Sequence, residues 1–220
     1  MEFQFWEPIY TEILEDFGFS RIRDEEAALL LSELLKDKKR SLDEAAQRLC
    51  GRDVVICGNA PSLAEELKGL QERDLAFVAA DGAASVLLRK GIVPDICVTD
   101  LDGPFDAIQN ANAMGTIMVV HAHGDNLDAL QKNVPLLDQV IGTTQCQPPE
   151  GLFNFGGFTD GDRCVFLARA LGAATIRLLG FDFEDPSVTP RKRKKLSWAK
   201  RLIDLALAAP VDHINYRSKR

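Results

Sequence analysis

The fold class that this sequence predicts is α/β: a mostly parallel β-sheet flanked by helices, Rossmann-like in layout, entered through a helical N-terminal segment. Three observations predict it. Short runs that are apolar at every position recur from Asp53 onward. Each ends abruptly in a glycine or a polar residue, and helix-like stretches lie between them. Strands with no polar alternation are buried on both faces, and their interleaving with helices is the signature of a parallel sheet covered on each side. The first fifty residues instead repeat at helical spacing.

Taken in order, Phe5, Ile9, Ile13 and Phe17 recur at helical spacing, with Trp6, Tyr10 and Leu14 beside them. A second helix is expected from about Asp24 to Lys38. A third is expected to begin at Ser41, where Ser41 and Glu44 have the spacing of a capping box. The chain is thus divided into a helical segment over 1–50 and an α/β catalytic domain over 51–220. In the latter, Val54–Cys57 ends in Gly58, Leu75–Ala80 in Asp81, Ile96–Thr99 in Asp100 and Ile117–Val120 in His121. Val140-Ile141 and Ile176–Leu179 complete the expected strands, and Ala83–Lys90 and Arg163–Leu171 are expected helices.

At 220 residues and 46% hydrophobic composition, the chain can bury a substantial core. A net charge of -7 and a pI near 5.1 make a polyanion an unfavourable partner, so no nucleic acid is expected. No apolar run reaches the ~18 residues of a membrane span, and Met1–Gln4 lacks the features of a signal peptide. The five cysteines are scattered without a CxxC pair, and Cys57 and Cys97 lie in apolar runs. They read as reduced core residues of a cytoplasmic protein. The sequence leaves a homodimer open.

In open α/β sheets, ligands bind at the carboxyl ends of the strands. Asn59, Asp81, Asp100, Asp102, His121, His123 and Asp125 all follow expected strands, so they should converge on one edge. Asp100-Leu101-Asp102 puts two carboxylates at i and i+2, a spacing that suits one Mg²⁺, which prefers oxygen ligands. A turn with two solvated acids is the plainer alternative, and glycosyltransferases use such a pair too. Gly58-Asn59-Ala60-Pro61-Ser62 opens a helix after the first strand and is a candidate anion site, or simply a strand-to-helix turn. It fits neither a Walker A loop nor a dinucleotide fingerprint. His121-Ala122-His123-Gly124-Asp125 has the spacing of a zinc site, but the chain holds only three histidines, His213 being the third, so zinc is disfavoured. Asp125 is expected to join the magnesium cluster or to cap the next helix, with the histidines touching phosphate or supporting the ligands. In Gly156–Arg163, Thr159 or Asp160 can cap the following helix, and Arg163 can grip phosphate. Arg191–Lys195 is the chief positive run of an acidic chain. It is either a solvated helix start or a basic lid over a triphosphate, hinged on the turn-rich stretch Glu184–Pro190.

Ala80-Asp81-Gly82-Ala83, Pro94-Asp95 and Asp100-Leu101-Asp102 together resemble the core of thiamin pyrophosphokinases. The fuller set adds Gly58-Asn59-Ala60-Pro61-Ser62-Leu63, His121–Asp125, Gly157–Arg163 and Gly180-Phe181-Asp182. It more closely resembles the archaeal 6-hydroxymethyl-7,8-dihydropterin pyrophosphokinases, over about residues 50 to 200. Thiamin enzymes carry Ser where this chain has Gly103. Parts of the pattern also occur in glycosyltransferases that use nucleotide-activated sugars.

The resemblance implies diphosphate transfer from ATP to a reduced pterin, with Mg²⁺ as cofactor and no side-chain nucleophile. It implies Asp81, Asp100 and Asp102 as metal ligands, with Asp125 a fourth ligand or a base. Asp100, Asp102, Asp125 and Arg163 are then the catalytic set. Gly58, Asn59, Ser62, His123, Thr159, Asp160, Lys192 and Lys195 are the expected nucleotide contacts. Phe155, Phe158, Asp160 and Asp182 are candidates to face the pterin.

Overall fold

A computed structural model describes residues 2–38, 42–70 and 74–208. Its parallel sheet of seven strands, among the described residues, is the fold class the sequence predicts. The strands are β1 (Asp53–Cys57), β2 (Ala76–Ala80), β3 (Ile96–Thr99), β4 (Ile117–Ala122), β5 (Val140–Thr144), β6 (Leu152–Phe153) and β7 (Thr175–Leu179). Their order is β6-β5-β4-β3-β2-β1-β7, and every neighbouring pair is parallel. One edge of the sheet therefore collects all the carboxyl ends. β3 and β4 are buried at every position, as expected of runs without polar alternation. Each fully buried Ile or Val in them contributes about 1.5–3 kcal/mol of transfer free energy.

The chain steps outward from β1 to β6 and then returns. Helix α8 (Asp160–Ala170) makes that return, packing across β1, β2 and β3 before β7 adds beside β1. Helix α5 (Ala83–Arg89) also packs on β2.

The N-terminal helices are α1 (Phe3–Phe17), α2 (Arg21–Leu34) and α3 (Leu42–Leu49). Gly18, in the left-handed region at φ 67°, ends α1, and Ser20 caps α2 by accepting from the Arg23 backbone N–H. Helix α2 therefore starts at Arg21, three residues earlier than expected. The capping box at Ser41 lies outside the described residues.

These helices are tied into the rest of the molecule. Helix α2 packs on β4, β5 and β6. The Trp6 ring lies edge-on to Phe166 of α8, and its indole N–H donates to the Gln145 carbonyl at 2.8 Å. The last helix, α9 (Pro190–Ala208), packs on α8 and binds α1 through Trp198–Asp16 at 2.8 Å and Arg201–Glu12 at 2.7 Å. All five cysteines are free, and four are buried. No described helix is long and apolar enough to cross a membrane.

Candidate active site

A cleft of about 600 Å³ opens over the carboxyl ends of the strands. Its chemistry centres on Asp81, after β2, and on Asp100 and Asp102, after β3. Carboxylate oxygens of all three lie within 4.8 Å of one another. The backbone makes this convergence by force. Asp81 at φ 38° and Leu101 at φ 66° occupy the left-handed region, which costs a non-glycine residue roughly 1–3 kcal/mol. Side chains hold the strained turn. The Thr99 hydroxyl donates to Asp81 at 2.5 Å and accepts from the Leu101 N–H at 2.9 Å. The Asp102 N–H donates to the Asp100 carboxylate at 3.1 Å.

Charge is distributed unevenly among the acids. Burial alone would raise Asp100, but the hydrogen bond and charge of His123, with the charge of Arg163, hold its carboxyl well below the usual range. Asp102 is pushed up to about 6 by burial and by the negative charge of Asp100. Burial also raises Asp81, against the hydrogen bond from Thr99. Asp160 is raised strongly by burial and by Asp100, with Arg163 opposing. Such a set, crowded and short of cations, has the oxygen-only donor chemistry that fits Mg²⁺. A side chain at Gly103 would spoil it, since a Cβ there would sit 2.0 Å from a carboxylate oxygen of Asp81.

Most of the other expected residues reach the cleft, in differing roles. His123 lines it and turns its ring onto Asp100, with Nε2 3.4 Å from the carboxylate. Asn126 joins the β3 and β4 loops, donating to the carbonyls of Asp100 at 2.8 Å and His121 at 2.7 Å. Asp125 lines the cleft but stands exposed, outside the group of three carboxylates. His121 is not in the cleft. It is a buried residue of β4, bonded to the Thr143 hydroxyl at 3.1 Å, and burial, Arg163 and His123 hold its ring well below the usual range. Thr159 caps α8, its backbone N–H donating to Asp162 at 2.8 Å, and it lines the cleft with Asp160 and Arg163. Phe158 and Asp182 line it too, whereas Phe155 does not.

The loop after β1 differs from its expected role. The helix there, α4 (Leu63–Glu66), has only four residues, too few for an effective terminal dipole. Ser62 is exposed and does not line the cleft. The Ala60 N–H is already donated to the Gly180 carbonyl at 2.9 Å. Gly58 and Asn59 do line the cleft, but Gly58 is glycine for a packing reason, since a Cβ there would lie 2.5 Å from the Gly180 carbonyl oxygen.

The basic run is helix, not loop. Arg191–Lys195 forms the start of α9, with Thr189 accepting from the Lys192 N–H at 3.2 Å. Helical spacing divides its charges. Lys192 and Lys195 line the cleft. Lys194 turns away and pairs with Asp16 at 3.0 Å. Arg191 and Lys194 lie over the rings of Phe19 and Phe17 at 5.6 and 5.0 Å.

Residues 28–187 match the family model described as MptE-like, 6-hydroxymethylpterin diphosphokinase. Three relatives named 6-hydroxymethyl-7,8-dihydropterin pyrophosphokinase are similar along nearly their whole length. That of Methanothermobacter thermautotrophicus is 45% identical, over 93% of this chain and 94% of the relative. Those of Methanocaldococcus jannaschii and Pyrococcus furiosus are 39% and 40% identical, over 93% of this chain and 95% and 94% of theirs. The chain belongs to the MptE-like 6-hydroxymethylpterin diphosphokinase family.

In this MptE-like chain, part of the cleft wall comes from outside the stretch that the family model matches. Gly18, Phe19, Ser20, Arg23 and Asp24 of the α1–α2 turn line it, as do Lys192 and Lys195. Gln145, just after β5, lines it as well. Sequence reasoning missed all of these except the lysines. The pair Gly18 and Ser20 signals a helix-to-helix turn, but nothing local says that this turn will stand beside Gly124, a hundred residues away.

Proposed function

We propose that this chain is a 6-hydroxymethyl-7,8-dihydropterin pyrophosphokinase that moves the diphosphate of ATP onto the pterin's hydroxymethyl group, with Mg²⁺ on Asp81, Asp100 and Asp102. One observation carries the reading. A group of three carboxylates stands at adjacent strand ends, inside the cleft of a chain 39–45% identical to relatives of that name. In this reaction the hydroxymethyl oxygen bonds to the β-phosphorus while the bond to the α–β bridging oxygen breaks, and AMP leaves. A divalent cation bound by the carboxylates supplies positive charge to the phosphate oxygens and orients them.

The chain's own residues do the rest by position and charge. His123 holds the Asp100 carboxylate in place and in its ionised form. Lys192 and Lys195 from α9, with Arg163 from α8, put cationic groups where phosphate charge develops, and such fixed charges lower the barrier more than they favour substrate binding. Asp125, exposed at the cleft, accepts the hydroxyl proton. Phe158 offers the pterin an apolar ring to stack on, and the Asp160 carboxyl can face its amino-pyrimidine edge.

A mass-spectrometric assay with ATP, Mg²⁺ and a panel of reduced pterins and thiamin tests this reading. The expected result is AMP and the diphosphate of 6-hydroxymethyl-7,8-dihydropterin in equal amounts. Turnover of thiamin alone, or of a nucleotide sugar in its place, would overturn it.

A further inference from the structure

Asp24 is a buried carboxylate, 2% exposed, that belongs to neither the metal group nor the apolar core. Three donors converge on it. The Tyr10 hydroxyl and the Gln145 side-chain amide both donate to Oδ2, at 2.7 and 2.8 Å. The Gly124 backbone N–H donates to Oδ1 at 2.8 Å. Beside it, Arg23 donates to the Gly124 carbonyl at 3.1 Å, and a Cβ on Gly124 would lie 2.5 Å from Arg23 Cβ. The first turn of α2 is thus clamped onto the loop that carries His123.

Gln145 links this clamp to the cleft. Its backbone carbonyl is fixed by the Trp6 indole at 2.8 Å and by the Asn154 amide at 3.1 Å. Its side chain donates through Nε2 to Asp24 and accepts through Oε1 from Arg163 Nη2 at 3.3 Å. A primary amide has one donating end and one accepting end, and a guanidinium only donates. With Asp24 as an acceptor, Gln145 can point only one way, its oxygen toward Arg163.

We propose that Asp24 is a positioning residue of the active site, acting through the Gln145 amide to aim the Arg163 guanidinium at the phosphates. The proposal rests on the diphosphate-transfer reading for its consequence, but the hydrogen-bond relay stands independently of it. Asp24→Asn keeps the shape and replaces one acceptor by a donor. With the oxygen retained at Gly124, the new NH₂ meets both the Tyr10 hydroxyl, which can rotate to accept from it, and Gln145 Nε2, which cannot. The Gln145 amide then turns over and presents its own NH₂ to Arg163, and two donors face each other.

The test is a double-mutant cycle of Asp24→Asn with Arg163→Lys, with Tyr10→Phe as the structural control. Tyr10 does not line the cleft, and its loss leaves the Gln145–Asp24 bond in place. Turnover is followed with ATP and the pterin. Calorimetry measures affinity for the Mg²⁺ complex of α,β-methylene-ATP, and melting is recorded for each protein. Asp24→Asn is expected to lower kcat/KM about tenfold or more and to weaken analogue binding, with less than about twofold further change in the Arg163→Lys background. Tyr10→Phe should lower the melting temperature while leaving kcat/KM within about twofold of wild type. Gln145→Met, which removes the relay but keeps Asp24, should reproduce Asp24→Asn and replaces it in the cycle if that variant does not fold. Wild-type kinetics in folded Asp24→Asn and Gln145→Met proteins alike, or effects of Gln145→Met and Arg163→Lys that multiply, would overturn the proposal. A wild-type protein inert toward ATP and pterin would overturn the reaction assignment instead. The relay would then be judged on analogue binding alone, where multiplying effects count equally against it.

Discussion

At the scale of single residues, the site is defined as much by an absent side chain as by the acids. A Cβ at Gly103 would collide only with the end of the Asp81 side chain, which can swing away, and not with backbone. Gly103→Ala should therefore spare the fold and displace the Asp81 carboxylate. Its melting temperature should stay within a few degrees of wild type, since Ala for Gly at a tolerant position stabilises by about 0.4–1 kcal/mol. Its rate should need at least about tenfold more Mg²⁺ for half-saturation, as expected when one carboxylate is misplaced. An unchanged Mg²⁺ dependence would show that Asp81 is not a ligand. The serine that thiamin pyrophosphokinases carry at this position would meet the same oxygen. Protons compete for the same acids. Asp102, pushed up to about 6, is ionised above that pH and protonated below it, so metal affinity should be full above it and fall as pH drops through it. The melting temperature gained on adding Mg²⁺ should accordingly be larger at pH 7.5 than at pH 5.5. Equal gains at both would exclude Asp102 from the metal site.

At the scale of elements, the division of charges along α9 separates two functions that the sequence presented as one run. Replacing Lys192 and Lys195 with Ala should raise KM for ATP or lower kcat by roughly tenfold, the weight of one charged hydrogen bond, with little change in melting. Lys194→Ala should do the opposite. It releases Asp16 and the Phe17 ring, lowering the melting temperature slightly with kinetics unchanged. If all three substitutions behave alike, the helical spacing has no functional meaning. The same contrast explains how much of the molecule was readable in advance. β1 to β4 were readable because a strand buried on both faces must be apolar throughout, and the parallel sheet then fixed where Asp81, Asp100 and Asp102 would meet. β6, with two residues, leaves too short a pattern to see. The basic run leaves a solvated helix start and a lid both open in the sequence, because charge at a helix start opposes the dipole and the compensating contacts come from Phe17, Phe19 and Asp16, far away in sequence.

At the scale of the whole molecule, the sequence presents the N-terminal helices as a segment packed on the main domain, and their contacts bind them to it at several points. Helix α1 is held by Gln145 and Phe166 at one end and by Trp198 and Arg201 at the other. Helix α2 is held by Gly124 and Gln145, next to His123, which turns onto Asp100. Undocking these helices would leave the fully buried Trp6 and Tyr10 in water and break the bonds of Gln145 to Asp24 and Trp6. Burial of two large aromatic side chains contributes several kcal/mol, too much to lose while the sheet stays intact at a typical stability of 5–15 kcal/mol. The protein should therefore unfold in one step. Its two tryptophans are well placed to test this, because Trp6 and Trp198 both sit on the contacts of α1. Tryptophan fluorescence reports docking of the N-terminal segment, and far-ultraviolet circular dichroism reports the helices and sheet together. The two melting curves should coincide, and saturating Mg²⁺ with an ATP analogue should raise both by the same amount if they bind in the cleft that the α1–α2 turn lines. A fluorescence transition that precedes the loss of secondary structure, and that ligand does not move, would show that residues 1–50 form a segment of their own and that the cleft wall from Gly18 to Asp24 is not coupled to binding.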